Sequence, residues 1–207
     1  SISIRASSIV SSTGSFSSDG VGGVYNSSSR GPTSDGRIKP DIVAPGVMIC
    51  SARAEEASLV TGGPCSSAIH DDGSTPKYMT LSGSSMATPV AAGASAMIRQ
   101  YLREELGIQA PRSDLIRAIL VNGADDLGQP DIPNAKEGWG QLNVSNSIFP
   151  QNAGTNQSVF FDQERQLLPG HSFIYTFELT DDSGLDVSLA WNDREGSASA
   201  DQNSSRL

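Results

Sequence analysis

The spacing of apolar residues changes twice along this chain, near Ser85 and near Phe149-Pro150. Before the first change the apolar runs are short and bounded by Gly, Pro, Ser and Asn, the pattern of strands joined by turns. Residues 2–10 read as a strand, and residues 16–34, dominated by Gly, Ser and Asn, as loop. Residues 38–46 hold a short apolar strand bracketed by prolines, and residues 47–52 continue as a second. Residues 55–77 form a polar insertion without periodicity, read as a surface excursion. Residues 78–82 return as a strand and enter a tight turn at Gly83.

From Ser85 the period becomes helical. Met86, Val90, Ala94, Met97, Ile98, Tyr101 and Leu102 recur at turns of 3.6 residues, with Ala91, Ala92, Gly93, Ser95 and Ala96 between them. A helix that is small or apolar nearly all round, as this one is until Arg99, is expected inside a core. Pro89 lies near its start, where a missing N–H matters little, and Gly107 ends it. A second helix is expected from Ser113, read as its N-cap, through Leu115, Ile116, Ile119 and Leu120 to Asn122-Gly123. Gly138-Trp139-Gly140 then introduces a short closing segment, residues 142–148.

Beyond Phe149-Pro150, residues 158–162, 172–180 and 186–191 alternate apolar and polar positions between Pro-Gly and Asp-Asp-Ser-Gly turns. Three strands are too few for a closed sandwich or barrel, so this antiparallel module reads as truncated. The expected architecture is therefore an α/β layered domain over residues 1–150, followed by the start of a β domain over residues 151–207.

Bulk composition narrows the choices. The 207 residues are 37% hydrophobic and 18% charged, which fits a folded globular protein rather than a disordered one. A formal net charge of -9 and a pI near 4.6 repel phosphate backbones, so no nucleic-acid partner is expected. No apolar run approaches the roughly 20 residues of a membrane-spanning helix. The opening residues, Ser1-Ile2-Ser3-Ile4-Arg5, are neither an initiator methionine nor a signal peptide, which leads us to expect a piece of a longer protein. Cys50 and Cys65 are the two cysteines; they are either a disulfide closing a short loop or two unrelated thiols. The cluster Gly20-Val21-Gly22-Gly23 is no nucleotide-binding turn, because no helical pattern follows it.

The segment with chemical content is Gly83-Ser84-Ser85-Met86-Ala87-Thr88-Pro89. A serine hydroxyl is a poor nucleophile until it is exposed, oriented and paired with a base. At the first turn of a helix it stands on a bend beside free backbone N–H groups, in a field that favours developing negative charge. Gly83 permits the close approach such a turn needs. A lipase-type elbow, G-x-S-x-G, is excluded because Ala87 stands where its second glycine belongs.

This run, continued by Val90-Ala91-Ala92-Gly93, resembles the nucleophile motif of the subtilases, usually G-T-S-M-A-x-P, with Ser84 in place of the usual threonine. Ser28-Ser29-Arg30-Gly31-Pro32, the run from Asp35 to Asp41, and Ala44-Pro45-Gly46 are similar to the segments that precede that motif. Gly138-Trp139-Gly140 resembles the family's later motif, and these matches fall in order over residues 26–148. The β module, with Leu189-Ala190-Trp191-Asn192-Asp193, resembles the jelly-roll domain of one subtilase branch.

The resemblance implies a serine endopeptidase acting on polypeptides outside the cell or at its surface. Ser85 would be the acyl-forming nucleophile. Its N–H would hold the oxyanion, assisted by the Ser84 hydroxyl, and Gly83 would form the turn. Met86 would pack beside the nucleophile, where oxidation to the sulfoxide lowers activity. The family's Asp, His and oxyanion asparagine belong upstream of Ser1, so the N-terminal half of the catalytic domain is an expected partner and this chain alone is expected to be inactive. His70, in a polar loop beside Asp71 and Asp72, and His171, after Pro169-Gly170, are the only histidines and read as loop and turn residues. Catalysis would require no cofactor and no metal. Calcium would enter only as a structural ion: Asp41 near the Ala-Pro-Gly turn and Asp181, Asp182 and Asp193 in the β module are candidate ligands, with turn carboxylates the competing reading. The rival function is non-enzymatic, a pseudoprotease or a binding module built on the β domain.

Overall fold

The computed structural model describes residues 4–7, 23–57, 65, 77–128, 131–148, 160–163, 170–178 and 185–192. Its elements in chain order are β1 (Ile4–Ser7), β2 (Ile42–Pro45), β3 (Ile49–Ala52), β4 (Tyr78–Leu81), α1 (Ser84–Glu104), α2 (Ser113–Asn122) and α3 (Val144–Ile148). Strands leading into helices make this an α/β protein. It divides into two compact units, residues 1–94 with 125–142, and residues 95–124 with 143–207.

In the first unit β1 and β2 pair in parallel, Ile4 opposite Ile42 through Ser7 opposite Pro45. Ile42, Val43 and Ala44 are fully buried, as the continuous apolar run requires of a strand covered on both faces. The segment around Gln141 runs along β2: the Val43 N–H donates to the Gly140 carbonyl at 2.9 Å, and the Leu142 N–H donates to the Val43 carbonyl at 2.8 Å. The glycines flanking Trp139 make this approach feasible. Gly138 sits at φ +68°, where a side chain would run into the Pro40 and Asp41 carbonyls; Gly140 sits at φ +114° against the Asp125 carbonyl.

β3 and β4 form an antiparallel ladder with Ile49 opposite Leu81 and Ala52 opposite Tyr78. Cys50, opposite Thr80, is joined by a disulfide to Cys65, whose N–H donates to the Thr80 hydroxyl at 3.2 Å. Of the two readings of the cysteines, the structure takes the disulfide.

Helix α1 has 21 residues. Ala87, Ala91 and Ala94 are buried in the first unit, and Ile98 and Leu102 in the second, a stripe at spacings of four and three. The expectation of burial all round does not hold. Ala92, Gly93 and Ala96 are exposed and Met97 is 59% exposed, so among the described residues nothing covers that face. Pro89 is the sixth residue of α1 rather than part of its first turn. Its missing N–H therefore deprives the Ser85 carbonyl of its helical donor. Gly107, at φ +69°, closes the helix, and the Ile108 N–H reaches back to the Leu102 carbonyl at 2.9 Å.

In the second unit α2 starts one residue earlier than expected, at the residue read as its cap. Arg112 occupies the N-cap position in extended conformation without a side-chain cap bond, and Ser113 is already helical. The nearby Asp114 carboxylate accepts from the Leu115 N–H at 3.0 Å and from the Arg112 guanidinium at 3.1 and 2.7 Å. The Arg112 hydrogen bonds, acting against partial burial, hold the Asp114 carboxyl below its ordinary pKa. Leu115, Ile116, Ile119 and Leu120 are buried as expected. Gly123 ends α2 at φ −91°, so its need for glycine is steric: a side chain there would strike Ser147 of α3.

The described residues of 160–192 include no strand. Phe160, Tyr175 and Phe177 cluster, with ring centroids 5.8 to 6.4 Å apart, yet all three remain partly exposed. Side chains tie this segment to α2 and the loop before it. Gln163 donates to the Ala110 carbonyl and accepts from the Arg112 N–H, Asn192 donates to the Ser113 hydroxyl, and Asn122 donates to that of Ser188.

Candidate active site

The site is assembled where the β3–β4 ladder ends and α1 begins. Four residues after β4 starts, Ser82 leaves the ladder and Gly83 turns the chain at φ +151°, a backbone conformation that side chains rarely adopt. The Gly83 carbonyl then accepts from the Met86 N–H at 3.0 Å and the Ala87 N–H at 3.3 Å, which starts the helix. Ser84 and Ser85 are its first two residues and both are exposed. Their N–H groups have no acceptor inside the helix, so they point out of its positive end.

Met86 is half-buried, with its sulfur 3.9 Å from the place a Gly83 side chain would occupy. The Thr88 hydroxyl donates to the Ser84 carbonyl at 2.8 Å. The turn is braced from the side by the segment after β2. The Gly83 N–H donates to the Gly46 carbonyl at 2.7 Å, and the Met48 N–H donates to the Ser82 hydroxyl oxygen at 2.8 Å. Gly83, Ser84, Ser85 and Met86 thus form one bend, with the two serines exposed at its head. An exposed hydroxyl beside unsatisfied N–H groups at a helix start can present a nucleophile and stabilise an adjoining oxyanion.

The other candidate residues are placed as follows. Asp41 is 2% exposed and paired with the Lys39 ammonium, and its carbonyl accepts from the Trp139 N–H at 2.9 Å. Its carboxylate is therefore buried rather than solvated. His171 is exposed and follows Gly170, itself at φ +81°. His70, Asp71, Asp72, Asp181, Asp182 and Asp193 lie outside the described residues.

Two features went unread in the sequence. One is the brace by Gly46 and Met48: Ala44-Pro45-Gly46 stood out as a motif, but spacing gives no hint of its partner nearly forty residues on. The other is an acidic group, Asp126, Asp131 and Glu137, which brings one carboxylate oxygen from each within 4.8 Å of the others. Glu137 is buried; its oxygens accept from the Leu127 N–H and the Asn134 amide, both at distances near 2.9 Å. Such hard oxygens suit a cation such as calcium in kind, though hydrogen bonds already engage the most buried of them.

A parallel strand pair, a left-handed glycine turn and an exposed serine at the head of a long helix are the features of this α/β protein that bear on its family. The model of the Subtilase family, peptidase family S8, matches residues 6–140, and the chain belongs to that family. Among its relatives, the "Serine protease/ABC transporter B family protein tagA" of Dictyostelium discoideum is 31% identical over 188 residues, 81% of this chain and 10% of that protein. The "Serine protease AprX" of Bacillus subtilis is 40% identical over 127 residues, 60% of this chain and 25% of that protein. The chain thus spans only a small part of these relatives. Among solved structures, the CspB protease of Clostridium perfringens is similar with a TM-score of 0.51 at 22% identity, over 71% of this chain and 26% of that one, a likeness of fold. No helix among the described residues is long and apolar enough to cross a membrane.

Proposed function

We propose that this chain is the nucleophile-bearing part of a subtilisin-like serine endopeptidase that cleaves polypeptides through an acyl-enzyme on Ser85. The observation that carries the reading is the exposed Ser85 at the head of α1, on a turn that Gly83 makes and Gly46 braces. In the reaction Ser85 Oγ attacks the peptide carbonyl while a histidine takes its proton and an aspartate orients that histidine. Both belong to the segment upstream of Ser1, as does the asparagine that shares the oxyanion with the Ser85 N–H. The family's partner for this chain is therefore the N-terminal half of its own catalytic domain, and alone it is inactive. The protease acts outside the cell or at its surface. Residues 1–150 belong to the catalytic domain and residues 151–207 begin a jelly-roll domain. No cofactor takes part, and any bound calcium is structural.

Hydrolysis of a casein-derived peptide by the complete gene product, compared with its Ser85→Ala form, tests the reading. Ser85→Ala is expected to lower kcat by a factor on the order of 10⁴ or more with KM little changed. Equal rates for the two proteins would remove Ser85 from the chemistry. A second reading, a pseudoprotease that binds a partner through its C-terminal segment, draws on the exposure of Ile174 (88%) and Leu189 (82%). Binding without Ser85-dependent hydrolysis would favour it.

A further inference from the structure

We infer that Ser82 is a positioning residue for the nucleophile turn, acting through the backbone of Met48; the inference rests on the proposed role of Ser85. Met48 is the one described non-glycine residue with positive φ, at 56°. A residue with a Cβ holds that conformation only when its surroundings impose it. Here the imposing contact is a side chain. Ser82 Oγ accepts from the Met48 N–H at 2.8 Å, beyond the last ladder pair, Ile49 opposite Leu81.

The consequence lies two residues back along the chain. With Met48 turned left-handed, the Gly46 carbonyl faces the Gly83 N–H and accepts from it at 2.7 Å. Gly46, Val47, Met48, Ser82 and Gly83 then form a ring closed by two hydrogen bonds, of which the Ser82 hydroxyl is the only side-chain member. The Gly83 peptide in turn anchors the first turn of α1 through its carbonyl, which receives the Met86 and Ala87 N–H groups. Ser85 lies between these anchors. Its Oγ and N–H can be aimed no better than the Gly83 peptide is held. Ser82 itself is exposed and adds no core packing, so its contribution is to the orientation of the turn rather than to burial.

The test uses the complete gene product carrying Ser82→Ala, Ser82→Thr, Met48→Gly, or Ser82→Ala with Met48→Gly. Two quantities are read: deuterium uptake at the amides of Gly83, Met86 and Ala87, and kcat and KM on the casein-derived peptide. Ser82→Ala is expected to speed uptake at those amides about tenfold and to lower kcat by about tenfold, with KM within about twofold, because a misaimed nucleophile weakens the chemical step more than binding. Ser82→Thr keeps the hydroxyl and should stay near wild type. Met48→Gly alone should also stay near wild type, since glycine adopts φ 56° unaided, and for the same reason it should rescue most of the loss in the double variant. Wild-type uptake and kcat in Ser82→Ala would overturn the inference, and so would a double variant as impaired as Ser82→Ala. If Ser85→Ala leaves hydrolysis unchanged, the catalytic reading falls and the role of Ser82 in catalysis falls with it. The uptake comparison then decides separately whether Ser82 holds the turn.

Discussion

At the scale of single residues, the chain uses polar side chains to brace tight backbone turns. Ser82 does so for Met48. The turn at residues 33–37 is a second case. There the Thr33 hydroxyl accepts from the Arg37 N–H at 2.9 Å and donates to the Asp35 carboxylate, which also accepts from the Arg37 guanidinium at 2.7 Å. The hydrogen bond from Thr33, and then that from Arg37, lower the pKa of Asp35 from 3.8 to about 2. The folded chain thus binds this proton less tightly than the unfolded chain does. The resulting stabilisation is fully present above pH 3.8 and is lost as the pH falls through about 2. It is modest, because the Arg37 side chain is largely in water. Titration followed by carboxyl carbon NMR should place the Asp35 midpoint well below that of an ordinary aspartate, and Thr33→Val should move it back up. A midpoint near 3.8 in the unsubstituted protein would contradict this account.

Among the elements, most of the layout was legible before any coordinates. The prolines around residues 42–44 bounded β2, the change of period marked α1, and Gly107 marked its end. Three details were not legible, for different physical reasons. Ser113 has the side chain of a cap, but the Arg112–Asp114 pair already organises that helix start, so α2 begins at Ser113 itself. Gly123 looks like a left-handed terminator and is instead a contact residue, a distinction set by Ser147 on another helix. Alternation in residues 158–191 gave a strand pattern, yet alternation only fixes which side chains share a face. A ladder also needs a partner strand, and among the described residues of that segment none is in a strand. The sequence left the two cysteines open between a disulfide and free thiols; the bridge formed ties Cys65 to the β3–β4 ladder that leads into the turn at Gly83. A loop with a sequence separation of 15 should contribute about 3 kcal/mol by restricting the unfolded chain. Urea unfolding of the oxidised protein and of a Cys50→Ser/Cys65→Ser variant should differ by that amount, and the difference should vanish in reductant. Equal midpoints under oxidising conditions would mean that the bridge does not constrain the chain.

For the molecule as a whole, the candidate site was legible to the extent that one segment carries it. The run from Gly83 to Pro89 pointed to Ser85 because the turn, the hydroxyl and the helix start are contiguous in sequence. Its supports come from residues 46–48, and contacts of that sequence separation leave no local pattern. The exposed face of α1, with Ala92, Ala96 and Met97, is also a property of the whole molecule. The sequence dictated an apolar helix on nearly all sides, and the described residues cover one side of it. The most direct measurement is the reaction of a fluorophosphonate with the complete gene product, with the adduct mapped by mass spectrometry. The account predicts a phosphonylated Ser85 in the complete product, and labelling slower by at least about a hundredfold in the isolated 207-residue chain. An unmodified Ser85 in a folded complete product, or equally fast labelling of the isolated chain, would contradict it.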